Sequence, residues 1–140
     1  MSSKPTLTRV DTEARPFSSH PVNDEEAEGM FRAALNLFRL WGVSDVQAAK
    51  MLDLNGRTYA RWKTGDLGRI GRDGKARLSN LIGIHKALRI LFRDPARGYL
   101  WIKAPNDAFD GESALAVMLG GDLTDLMRVR RYLDAERGGW

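Results

Sequence analysis

Apolar residues fall at helical spacing along most of this chain, in segments separated by glycine, proline and short polar clusters. Met30, Phe31, Ala34, Leu37, Phe38 and Trp41 mark the first strong face. That helix is predicted to begin near Asp24, whose carboxylate would cap free backbone amides, with Glu25, Glu26 and Glu28 favouring the positive end of its dipole. Gly42 ends it. Residues 44–65 then read as two short helices joined by a tight turn, the outline of a helix-turn-helix. Ser44 or Asp45 caps the first, Val46, Ala49, Met51 and Leu52 supply its apolar contacts, and Leu54 plugs the turn. Asn55 caps the second, with Tyr59 and Trp62 facing inward and Arg57, Thr58 and Arg61 facing out.

Residues 64–76 read as a loop, because Gly65, Gly68, Gly71 and Gly74 punctuate it. Leu78, Leu81, Ile82, His85, Leu88, Leu91 and Phe92 follow on one helical face, which makes His85 a core or interface residue. Pro95 opens a new region: a short helix over residues 96–103, a break at residues 104–107, and an apolar helix over residues 112–119 closed by Gly120 and Gly121. A last helix is capped by Asp122, with Asp125 three residues on as in a capping box, and packs Leu123, Leu126, Met127, Val129 and Leu133. The expected fold is all-α: a helix-turn-helix bundle over residues 24–93, then a small helical domain over residues 94–140. Residues 1–23, rich in Ser, Thr and Pro, keep no apolar period in Leu7, Val10 and Phe17 and read as a flexible arm.

Composition narrows the chemistry. The 140 residues include no cysteine, which excludes disulfides, thiolate zinc sites and cysteine nucleophiles. His20 and His85 lie too far apart in sequence to suggest a metal cluster, and no apolar run approaches the length of a membrane span or secretory signal. Gly74-Lys75 is followed by Ala76, and Arg69 stands where a phosphate-binding loop needs its first glycine. Arg69, Arg72 and Lys75 therefore decorate a solvated connection or touch phosphates beside the recognition helix. Asp107, Asp110 and Glu112 have no paired histidine and read as loop and cap residues. The expectation is a cytoplasmic binding protein, not an enzyme, with no cofactor. A net charge of +4 suits a polyanionic partner without requiring one.

The second helix of the helix-turn-helix is the candidate for a DNA major groove. Arg57 and Thr58 near its start would face bases, Arg57 reaching guanine, with Asn55 beside them. Arg61 and Lys63 would hold phosphates.

From Pro95 onward the chain resembles the C-terminal toxin-binding domain of Xre/MbcA/ParS-type antitoxins. The features that carry this are Trp101 ahead of Pro105-Asn106, then Phe109 and Gly111, a Leu-rich helix ending in glycine (Leu115, Leu119, Gly121), and a final helix with Val129 and Leu133. Such antitoxins carry a helix-turn-helix in front, so the resemblance spans residues 24–140. Two departures stand out: residues 112–114 hold no proline, and Asp53 occupies the turn position where DNA-binding examples commonly have glycine.

The resemblance implies a RES-domain toxin partner that acts on NAD by hydrolysis or ADP-ribose transfer, with the antitoxin covering its NAD cleft. It also implies operator DNA binding with autorepression, and a homodimer within a toxin–antitoxin hetero-oligomer. A site that accepts two phosphates should carry cations. Asp134 and Glu136 would pair with them while Tyr132 or Trp140 fills apolar space, and Arg128 and Arg131 would meet acidic toxin surface. The competing reading is a stand-alone transcriptional regulator whose C-terminal half serves dimerisation.

Overall fold

A computed structural model describes residues 22–138 as seven α-helices, with no strand among those residues. The expected arm over residues 1–23 lies outside the described residues apart from Val22 and Asn23, and so does Trp140.

Helix α1 (Asp24–Trp41) buries Ala27, Phe31, Ala34, Leu37, Phe38 and Trp41 along one stripe. Its cap is Asn23, one residue earlier than the charge pattern suggested. The Asn23 side chain accepts from the Glu26 amide at 2.7 Å, and the Glu26 carboxylate accepts from the Asn23 amide at 3.1 Å. Asp24 is already helical and instead pairs with Lys75 at 3.5 Å. Gly42, at φ 72°, ends the helix in the left-handed conformation glycine favours.

Helices α2 (Asp45–Met51) and α3 (Gly56–Lys63) form the helix-turn-helix. Ser44 and Gln47 close a reciprocal capping box at 3.1 and 3.0 Å, and Asn55 accepts from the Thr58 amide at 2.8 Å. Tyr59 and Trp62 are buried, and both meet the Phe31 ring edge-on, at 6.1 and 5.4 Å between centroids. That aromatic seam seats α3 on α1.

The glycine-punctuated connection is shorter than its composition suggested. Helix α4 (Arg72–Leu91) begins at Arg72, so Gly74 and Lys75 are helical and the loop is residues 64–71. Leu67 and Ile70 are buried and pin the loop down. Gly74 permits this, because a Cβ there would come within 2.9 Å of the Ile70 side chain. Along α4, Leu78, Leu81, Ile84, Ala87 and Leu88 are buried.

Helix α5 (Pro95–Lys103) starts at an Asp94 cap with proline in the first turn, where its missing N–H costs nothing. A 3-10 turn (Asp107–Phe109) follows. Helix α6 (Ala114–Met118) begins two residues after the predicted Glu112. The Glu112 carbonyl is held by the Asn106 amide at 3.1 Å, and the Ser113 hydroxyl caps the helix by accepting from Ala116. Helix α7 (Leu123–Glu136) starts as expected at Asp122, whose amide donates to the Asp125 carboxylate at 3.0 Å. Leu126, Val129 and Leu133 of α7 are buried, and α7 makes its main contact with α4. One side of α4 holds α1 and another holds α7, so front and back halves share one apolar core.

His85 is half-buried at the edge of this core, its ring stacked on Tyr99 at 6.0 Å and tilted against Trp41 at 6.2 Å. Burial, reinforced by the Arg89 guanidinium, lowers its pKa below the ordinary 6.5. Between the lowered native value and about 6.5 the unfolded chain binds more protons than the native one. Stability is therefore fully present above that window and is lost as pH falls through it. His85→Phe, which keeps a ring against Tyr99, is expected to flatten this part of the profile, as read from urea midpoints across the window.

Candidate functional site

Two surfaces carry the residues singled out by sequence. The first is the outer face of α3. Arg57 is exposed and has no ion-pair partner among the described residues, while Thr58 is half-buried. Asn55 uses its side-chain oxygen on the Thr58 amide, which leaves its NH₂ group free to face outward. The other two cations are engaged. Lys63 Nζ lies 3.1 Å from both Asp45 oxygens and over the Tyr59 ring. Arg61 Nε lies 3.8 Å from the Asp66 carboxylate. Burial, with a smaller contribution from Asp45, raises the Tyr59 phenol to about 12, so it stays a neutral packing group.

Asp53, the departure in the turn, adopts φ 55°. Aspartate is one of the few side chains that visits the left-handed region without glycine's freedom. The turn therefore keeps its shape with a carboxylate at its corner. Val46, 81% exposed, stands on α2 beside a depression of about 270 Å³ lined by Gly56 and Ala60 of α3. Arg69, Arg72 and Lys75, spaced three apart in sequence, line a separate depression of about 480 Å³ at the start of α4.

The second surface is aromatic. Tyr132 stacks on Trp101 with centroids 6.0 Å apart and planes 8° apart, and meets Phe109 edge-on at 5.3 Å. Leu91, Phe92, Trp101, Tyr132, Leu133 and Glu136 line a depression of about 160 Å³ between α4, α5 and α7. Arg128 lies over the Phe109 ring at 5.3 Å, with Asp110 at 3.8 Å. Asp134 is held between Arg130 at 3.7 Å and Arg137 at 3.6 Å, so its charge is largely spent within α7. Glu136 and Arg131 are exposed and have no ion-pair partner among the described residues.

Sequence reasoning missed Leu100 and Ile90, which are 71% and 54% exposed. The signal for Leu100 was present. Tyr99, Leu100, Trp101 and Ile102 are four consecutive apolar residues, wider than a single helix face can bury. Gly98 and Ile102 take the buried side of α5 and leave Leu100 outside.

Among the described residues no group of three or more His, Cys, Asp or Glu could hold a metal ion, and no helix is long and apolar enough to cross a membrane. Comparison with known proteins falls along the same two surfaces. Residues 20–83 match the antitoxin Xre-like helix-turn-helix domain, and residues 87–139 match the antitoxin Xre/MbcA/ParS C-terminal toxin-binding domain. The chain is also 46% identical over 125 residues to the uncharacterized protein y4oB of Sinorhizobium fredii (strain NBRC 101917 / NGR234), a match covering 89% of this chain and 93% of that protein. A helix-turn-helix ahead of an aromatic, toxin-binding helical unit, matched over nearly all of the described residues, places this chain in the family of Xre/MbcA/ParS-type antitoxins.

Proposed function

We propose that this antitoxin neutralises a cognate RES-domain toxin through its C-terminal half, covering the toxin's NAD site, and that the complex binds operator DNA through α3 to repress its own expression. The observation that carries the reading is the toxin-binding match over residues 87–139, because the half-exposed Trp101–Tyr132 stack lies within it. Aromatic side chains in an exposed depression give large contact area at low entropic cost, as interface anchors do. Glu136, at the rim of that depression, is the acid best placed to meet cations that would otherwise hold NAD phosphates. Asp134 can contribute there only by leaving Arg130 and Arg137. Arg128, Arg131 and Tyr132 extend the same surface on α7, and Trp140 would reach the toxin from the segment beyond Gly138.

The DNA side rests on Asn55, Arg57 and Thr58 at the start of α3, with Arg61 and Lys63 turning to phosphates in exchange for Asp66 and Asp45. A symmetric dimer would read a palindromic operator, half-site by half-site. The whole assembly acts in the cytoplasm. Arg57→Ala is expected to weaken operator binding by about 1–3 kcal/mol, the usual worth of a good bidentate base contact. Arg57 is exposed, so thermal stability should stay nearly unchanged. A gel-shift titration against the duplex upstream of the chain's own gene checks this. Wild-type protein that fails to retard the duplex, with or without its partner, contradicts the DNA half of the proposal. Retardation without any toxin partner in co-purification favours the stand-alone regulator instead.

A further inference from the structure

Val46, at 81% exposed, is the most exposed large apolar side chain among the described residues. A lone exposed valine is ordinary. The surroundings of this one set it apart. It is the second residue of α2, where a β-branched side chain does nothing for the helix. It lines the depression of about 270 Å³ between the start of α2 and the exposed side of α3. Gly56 and Ala60 line the same depression and offer no bulk beyond one methyl group, and a Cβ at Gly56 would meet nothing within 4 Å. Buried Tyr59 backs it, and the Asp45–Lys63 pair borders it. Gly56, Arg57, Ala60 and Arg61 are all exposed, and their spacing places them on one side of α3. That side is split between two arginines and an apolar hollow.

We propose that the hollow reads thymine: Val46, with Gly56 and Ala60, receives the 5-methyl group of a thymine beside the base pair that Arg57 contacts. The proposal rests on the reading that α3 enters the major groove of the operator.

In the major groove the 5-methyl group of thymine is the apolar feature of the base edges, and small apolar side chains are its usual contacts. Valine offers the groove no hydrogen bond, so its contribution there is the burial of carbon against carbon. The missing side chain at Gly56 lets a base edge come close to the backbone of α3 and reach Val46 on α2. Arg57 follows Gly56 directly. A guanidinium on guanine and a methyl group in the hollow therefore fall on neighbouring base pairs. A protein partner fits the hollow less well, because Asp45 and Lys63 border it and such residues are depleted from the cores of protein interfaces.

The test uses the full chain, alone and with the product of the neighbouring gene, titrated by anisotropy against labelled duplexes from upstream of its own coding sequence. In each duplex one thymine is replaced by deoxyuridine, which removes the methyl group and leaves the hydrogen-bonding edge unchanged. At least one such replacement in each half-site should weaken binding about fourfold, the worth of one buried carbon group. Val46→Ala should bind the unmodified duplex about as weakly as the wild type binds the uracil one, and uracil at that position should then have no further effect. Alanine suits an exposed helical position, so the variant should keep its fold, which thermal melting checks.

A wild-type chain that binds the duplex and is indifferent to every uracil overturns the proposal. So does a uracil effect that survives in full in Val46→Ala, because another residue then holds the methyl group. Loss of self-association in Val46→Ala, read by light scattering, with uracil sensitivity intact assigns the hollow to a second copy and also overturns it. A wild-type chain that binds no duplex, alone or with the neighbouring product, overturns the underlying reading and the role of the hollow with it.

Discussion

Phe31→Ala is expected to destabilise the protein by about 3–5 kcal/mol, the usual cost of deleting a fully buried phenylalanine ring. Phe31 is 1% exposed and contacts both aromatic residues that α3 turns inward. Its removal opens a cavity at the only aromatic seam between α1 and α3 among the described residues. A loss of this size is a large share of a typical 5–15 kcal/mol of stability. The effect should be uneven, with α3 loosening before the α4–α7 packing, because Leu126, Val129 and Leu133 do not depend on that seam. Urea denaturation gives the total, and hydrogen exchange in α3 against α7 gives the distribution. Phe31→Leu fills most of the volume and should cost far less.

Leu100→Glu is expected to act the opposite way, leaving stability almost untouched while removing partner binding. At 71% exposed, Leu100 has little packing to lose in the free protein, and surface substitutions of this kind usually stay within about 0.5 kcal/mol. A carboxylate placed in a dry interface has no partner, and breaking complementarity at an anchor commonly costs about 2 kcal/mol or more, roughly thirtyfold in affinity. Leu100 lies on the exposed side of α5, within the segment that matches the toxin-binding domain. Calorimetric titration of the variant with the neighbouring gene's product measures the loss, and thermal melting shows whether the fold is intact.

The helices and most of their caps were legible because they depend on nearby residues. Phe31, Ala34 and Phe38 announce α1 by their spacing, and Ser44, Asn55, Asp122 and Asp125 sit at the caps their side chains suggested. What was not legible depends on residues distant in sequence. Gly74 reads as a loop glycine until Ile70 folds onto it. Lys63 reads as a free cation until the turn brings Asp45, eighteen residues earlier, to 3.1 Å. Arg77 reads as one more cation after Arg69, Arg72 and Lys75, and only the packing of α7 on α4 brings the Gly121 carbonyl to it. The aromatic surface lay between these extremes. Trp101, Phe109 and Tyr132 are visible as residues, but their stacking needs α5 and α7 to meet beside the 3-10 turn.

The effect on the DNA surface is specific. Two of the three cations assigned to α3 and its end, Arg61 and Lys63, are paired with acids, and Asp53 places another carboxylate at the turn. Arg57 is left as the exposed arginine at the start of α3. Operator binding by the free chain should therefore be weak and only shallowly dependent on salt, and a second copy or bound partner should strengthen it.

NAD turnover tests most directly whether this chain silences its toxin by covering an NAD site. The neighbouring gene's product, purified away from the antitoxin, is supplied with NAD, and NAD loss is followed as the full chain is titrated in. Consumption should fall to background once the chain is in excess, and Leu100→Glu should fail to suppress it at the same concentration. NAD consumption that continues unchanged while the two proteins form a stable complex would contradict the account.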